Sequence, residues 1–157
     1  EHKALYRAPS LRETLPGVDA VGELGRAAVR RAGDDLAMIT YGAMVHECLD
    51  AADTLAAEGV EARVVDLRTL QPLDDEVLLA AARECGKVLI VHEDTKTAGI
   101  AGEITARLNE GVFEWLDAPI LRVTAADTPV PYNKTLEKAF FPQVSDILKT
   151  ARNLANY

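Results

Sequence analysis

The sequence is short of positive charge. Seventeen Lys and Arg stand against 25 Asp and Glu, a formal net charge of −8. Nucleic-acid binding needs clustered cations that displace phosphate counterions, so this balance argues against it. A basic protein partner suits it better. No apolar run approaches the ~20 residues that cross a bilayer, and no signal-peptide pattern is present, so no membrane partner is expected. Cysteine is scarce: Cys48 and Cys85 form neither a CxxC nor a metal spacing. Each sits in a helical apolar pattern and reads as a buried structural thiol in a reducing, cytosol-like compartment. Chemical motifs are missing as well. There is no GxGxxG, no GKS or GKT of a phosphate-binding loop, no HExxH and no Gly-x-Ser-x-Gly elbow.

What is present is a globular chain. Its 157 residues are 48% hydrophobic, enough for one core without disulfides or metal. Residues 1–19 have no sustained period and contain Pro9, Pro16 and Gly17; they read as a linker entering a domain that spans 20–157. The start at Glu1 rather than Met reads as a piece of a longer protein. The first 31 residues hold six basic and four acidic side chains, so the acidic surplus lies downstream.

Strand and helix patterns alternate along the chain. Residues 18–29 are weakened as a helix by Gly22 and Gly25 and read as a short edge strand with turns. The run 36–41 reads as a buried strand, ended by Gly42. Val45, Cys48, Leu49, Ala52, Leu55 and Ala56 then follow helical spacing up to Gly59. A second strand covers 62–67. Asp74 is a good N-cap for a helix that Gly86 stops. The stretch 87–103 is the centre of the pattern. It holds an apolar strand over 87–91, a polar tip of His92, Glu93 and Asp94, and a helix opened by Gly99 and Gly102. Phe113 and Trp115 read as packed under the loop after that helix. Residues 119–123 read as a fourth strand and 127–132 as an extended proline-rich turn. The last helix runs from about Gln143 to Leu154, with Pro142 at its first turn. Short crossovers of this kind give parallel strands. The fold expected is α/β: a three-layer α/β/α sandwich on a mostly parallel central sheet of about five strands, one edge strand being open to antiparallel pairing.

Strand ends in such a sheet gather polar side chains and free helix N–H groups. The candidates are Tyr41 and Gly42, Asp66 and Arg68, and His92 and Glu93. Adjacent strand residues point to opposite faces, so His92 and Glu93 need not act together. A structural or interface histidine is the better reading of His92. Metal binding by His46, His92 and nearby carboxylates has no spacing to support it. Gly99 and Gly102 could cradle an anion, but close helix packing explains them more simply. As an isolated catalyst the chain is unconvincing.

Four segments carry a family resemblance: ITYGAMVHECLDAADTL, GVEARVVDLRTLQPLDDE, GKVLIVHEDTKTAGIAGEI and APILRVTAADTPVPY. In this order they resemble the carboxy-terminal domain of the β subunit of 2-oxo acid dehydrogenase E1 enzymes, the domain type that also ends transketolase. EHKALYR is similar to the segment joining that domain to the family's pyrimidine-binding domain. The resemblance implies a subunit of roughly twice this length. It implies the enzyme of a pyruvate, branched-chain 2-oxo acid or acetoin dehydrogenase complex, with oxidative decarboxylation where the substrate is a 2-oxo acid and acyl transfer to lipoyl-E2. Thiamine diphosphate and Mg²⁺ would be held by other domains, so no catalytic, cofactor-binding or metal residue is assigned here. The implied partners are the E1 α subunit, a second β subunit and the basic peripheral subunit-binding domain of E2. Asp117, before the Ala-Pro of the fourth strand, and the terminal residue Tyr157 would dock E2. His92 and Glu93 would face a neighbouring domain or subunit. The implied compartment is the cytoplasm for a bacterial-type enzyme, or the mitochondrial matrix. The alternative is a stand-alone α/β module binding a small anion at the strand-tip crevice.

Overall fold

The computed structural model describes residues 3–11, 14, 17 and 22–157. Much of the expected linker, and residues 18–21 of the expected edge strand, therefore lie outside the described residues. A short helix α1 (Lys3–Arg7) and a 3-10 turn (Pro9–Leu11) precede the domain.

Five strands form one sheet: β1 (Ala28–Arg31), β2 (Leu36–Thr40), β3 (Ala62–Asp66), β4 (Val88–Thr95) and β5 (Leu121–Ala125). Their order is β1-β3-β2-β4-β5. β1 pairs antiparallel with β3; every other pair is parallel. The expected mostly parallel sheet is present, and the edge strand is antiparallel. It lies later than the weak pattern at 18–29 suggested, because Leu24 and Gly25 form a turn, in which Gly25 takes a positive φ of 75°.

Helices cover both faces. α2 (Met44–Ala57) and α6 (Val144–Ala155) pack on one face, over Leu36, Met38, Val64, Leu89, Val91 and Val123. α3 (Asp75–Cys85) and α4 (Ile100–Val112) pack on the other, over Ala37, Ile39, Val65, Val88 and Ile90. The period-2 pleat explains this split, since odd and even residues of one strand serve different layers. The central strands are buried on both faces, which is why they read as continuous apolar runs.

Cap chemistry sets the helix limits. The Asp74 carboxylate accepts from the Val77 backbone N–H at 3.2 Å and from Ala27 N–H at 2.9 Å. It thus caps α3 and ties the entry of β1 to it. Gly86 ends α3 in the left-handed region, at φ 65°, where a side chain would be strained. α6 opens with a capping box between Gln143 and Asp146. Pro142 stands just outside it, before the N-cap. Arg152 of α6 and Glu58, at the C-cap of α2, pair through two hydrogen bonds. Cys48 and Cys85 are buried free thiols, as expected; burial pushes Cys48 up to about 12 and Cys85 to about 11.

Four readings are corrected. β4 continues through His92, Glu93 and Asp94 to Thr95, so the polar tip is part of the strand; its register with β5 shifts between Val91 and Thr95. β5 begins at Leu121, two residues after Pro119, which has no N–H to give a ladder. A further helix, α5 (Lys134–Phe140), occupies a stretch to which the pattern assigned no element; Asn133 caps it, accepting from Thr135 and Leu136 N–H. Phe113 and Trp115 do not pack under a loop. α4 ends at buried Val112, and the 3-10 turn Phe113–Trp115 leaves these side chains 70% and 53% exposed.

Candidate functional site

The sheet has two edges, and the candidate residues divide between them. The chain order places a topological switch between β2 and β4: β2 leads outward to β3, and β3 crosses back to β4. Their carboxyl ends carry Tyr41 and His92, the position where α/β sheets open a crevice.

His92 has no exposed surface. Its Nδ1 accepts from the Asp94 backbone N–H at 3.2 Å. An accepting Nδ1 carries no proton, so the ring is neutral with its proton on Nε2. Nε2 has no partner among the described residues. Burial, opposed by Asp94 and aided by Arg122, holds the imidazole below its ordinary pKa of 6.5. The ring stacks near Tyr41, with centroids 6.4 Å apart. Tyr41 is pushed up by burial and by the charges of Asp94 and Glu93.

Gly99 forms the other wall. A Cβ there would lie 2.8 Å from His92 Cε1 and would also meet the Thr95 carbonyl. Gly99 is thus required for close approach. Gly102 is not: a Cβ there meets nothing within 4 Å. The His92 ring therefore packs against the backbone at the front of α4. His92 is buried, whereas Glu93, with Met44, Glu47, Lys134, Lys138 and Phe141, lines a cleft of about 660 Å³ between α2 and α5.

A carboxylate joins the loops at this edge. Asp127 accepts from Thr97 N–H at 3.0 Å and from the Thr97 hydroxyl at 2.7 Å. These bonds hold its carboxyl below the usual range. They fasten the β4–α4 loop to the segment after β5. The extended pattern at 127–132 gave no signal for this partner. The sequence reading missed Asp127 and Thr97, although an aspartate just after a strand could have prompted the search.

Asp117 and Tyr157 belong to the opposite edge. Asp117 N–H donates to the Gly86 carbonyl at 2.8 Å, and its carboxylate is exposed. The next residue, Lys87, donates from Nζ to the Ala155 carbonyl at 2.9 Å. That carbonyl is one of the last of α6, which have no intrahelical partner, and a cation there suits the helix dipole. Asp117 and the end of α6 are so gathered around Gly86 and Lys87. Tyr157 is exposed, and its N–H donates to the Leu154 carbonyl. Lys87 is the third residue of this corner, and it too escaped the sequence reading.

The described residues contain no group of three or more His, Cys, Asp or Glu able to hold a metal ion. No helix among the described residues is long and apolar enough to cross a membrane.

A doubly wound α/β domain with a buried histidine at its strand tips is thus defined. The chain belongs to the transketolase C-terminal domain family, whose model matches residues 25–147. Among its curated relatives are two β subunits of 2-oxo acid dehydrogenases. It is 45% identical over its whole length to the pyruvate dehydrogenase E1 component subunit beta of Bacillus subtilis, covering 47% of that protein. It is 44% identical to the 2-oxoisovalerate dehydrogenase subunit beta of the same organism, again over its whole length and covering 48% of it. The chain therefore spans about half the length of these relatives. Among solved structures it is similar to a split-gene transketolase, an inactive β4 tetramer: TM-score 0.72 and 27% identity, over 92% of this chain and 46% of that one. A 2-oxoglutarate:ferredoxin oxidoreductase from Magnetococcus marinus shares the fold at TM-score 0.53 and 14% identity, over 83% of this chain and 19% of that one.

Proposed function

We propose that this chain is the carboxy-terminal domain of an E1 β subunit in a 2-oxo acid dehydrogenase complex, and that it serves subunit assembly and E2 docking. The observation that carries the reading is whole-length identity of 44–45% to two E1 β subunits. The whole enzyme would decarboxylate a 2-oxo acid oxidatively and pass the acyl group to lipoyl-E2. In that enzyme the decarboxylation chemistry is supplied by thiamine diphosphate with Mg²⁺, held by the E1 α subunit and the other half of the β subunit. Residues 1–19 would be the connection to that half. The compartment would be the cytoplasm of a bacterium or the mitochondrial matrix.

The two sheet edges take separate tasks in this reading. Glu93, backed by buried His92, meets a neighbouring domain or subunit at the strand tips. Asp117 and Tyr157 meet the E2 peripheral subunit-binding domain. Complementary charge favours a basic partner for this chain of net charge −8. Lys87 supports the same reading by holding the end of α6 beside Gly86 and Asp117.

Calorimetric titration with the E2 subunit-binding domain tests it. Saturable binding is expected. Asp117→Asn should weaken it and flatten its salt dependence, since one charge pair is lost while the exposed site leaves the fold intact. A saturable response to inorganic phosphate, with none to the E2 domain, would instead favour the stand-alone anion-binding module.

A further inference from the structure

We infer that the cleft between α2 and α5 is a binding site for a small zwitterion, an α-amino acid with a large apolar side chain. Its volume of about 660 Å³ falls within the ~300–1,000 Å³ that small-molecule sites span. It lies at the strand-tip edge of the sheet, away from Asp117 and Tyr157.

Facing elements bring opposite charges to this cleft. Lys134 and Lys138 of α5, with Phe141 after it, follow i, i+4, i+7 spacing and so share the face turned to the cleft. On α2, Met44 and Glu47 stand three residues apart and share a face in the same way. Charges of opposite sign in one cleft would be expected to pair. Among the described residues, however, neither lysine nor Glu47 forms an ion pair. Burial and the charge of Asp50, opposed by His46, raise the Glu47 carboxyl above its ordinary value.

The walls are preformed. Asn133 caps the start of α5, accepting from Thr135 and Leu136 N–H. At its end the Gln143 amide donates to the Lys138, Phe141 and Pro142 carbonyls. Buried Phe140 packs edge-on against Phe141, with ring centroids 5.0 Å apart. Held at both ends, α5 keeps its lysines apart from Glu47, and a preformed site loses less entropy when a ligand enters.

A free amino acid supplies both missing partners. Its ammonium pairs with Glu47 and its carboxylate with the lysines, as charge-assisted hydrogen bonds. Its side chain lies against Met44, Phe141 and Pro142, where a thioether and a ring suit an aromatic body. A ligand with one charge would leave one wall unpaired. The inference does not depend on E2 docking, which was assigned to the opposite edge.

Calorimetric titration of the chain tests it, with L-phenylalanine as the probe. Phenethylamine keeps only the ammonium, and 3-phenylpropionate only the carboxylate. Phenylalanine should bind saturably, and each single-charge analogue should bind about tenfold more weakly or worse, the loss expected of one charge-assisted hydrogen bond. Glu47→Gln and the double variant Lys134→Gln/Lys138→Gln should each weaken phenylalanine binding severalfold. Their urea midpoints should stay near that of the parent, since none of these side chains is fully buried. The two variants shift net charge in opposite directions, so a loss in both is not an effect of overall charge. No saturable response to phenylalanine, equal binding of either analogue, or unaltered affinity in either variant would overturn the site. Failure of the E2 domain to bind would sink E2 docking and leave this site standing.

Discussion

Single residues at the strand tips are fixed by contact rather than by motif. Gly99 and Gly102 look alike in the sequence, three positions apart at the front of one helix. Only Gly99 has a neighbour where a Cβ would be. Gly99→Ala should cost about 1–3 kcal/mol in urea denaturation, through displacement of His92 or the Thr95 carbonyl. Gly102→Ala should be neutral or gain up to about 1 kcal/mol, since alanine is the better helix residue. Equal costs for the two would remove the packing explanation. Buried His92 makes a second prediction, concerning pH. Its folded pKa is held below 6.5, so the unfolded chain takes up the proton first. The stability that neutral His92 lends is complete above about pH 6.5 and is lost as pH falls from there towards the folded value. The urea midpoint should therefore drop more between pH 7.5 and pH 5.5 in the parent than in His92→Gln. Parallel decline in both would assign the effect elsewhere.

Elements were legible where local chemistry and packing agree. Asp74 and Gly86 bracket α3 in the sequence as they do in the structure. The buried strands β2 and β3 were legible from their apolar runs, to within a residue. The tip of β4 was not, because hydrogen bonding to neighbouring strands carries it past the apolar residues and into the polar triplet. α5 was hidden for a similar reason: Lys134–Phe140 buries only Phe140, so it has no apolar stripe to read. Phe113 and Trp115 misled because aromatic residues are usually buried, whereas here the 3-10 turn after α4 leaves both exposed. A test at this scale falls on Asp74, the nearly buried carboxylate that serves both α3 and β1. Asp74→Ala should lower stability by about 2 kcal/mol, as a lost cap usually does at the upper end of its range. Loss of under about 0.5 kcal/mol would mean that water replaces both bonds.

In the molecule as a whole, the two edges of the sheet carry different groups. Buried His92 lies against Gly99 at the strand tips, beside a mixed-charge cleft lined by Glu93. Asp117 and Tyr157, at the opposite corner, were singled out by the resemblance. Lys87, which brings the end of α6 to the corner, was not, since it is 68 residues from the carbonyl it serves.

The separation of the two edges has an energetic consequence. β4 runs from one to the other over eight residues, roughly 26 Å at ~3.3 Å per residue. Substitutions more than about 7–10 Å apart with no shared partner usually add. Lys87→Met and Gly99→Ala, one at each end of β4, should therefore destabilise the double variant by the sum of their separate costs, to within about 0.5 kcal/mol. A larger discrepancy in urea denaturation would reveal β4 as a lever that couples its ends. Additivity would mean that the two ends of β4 are energetically independent, so that one edge can change without disturbing the packing at the other.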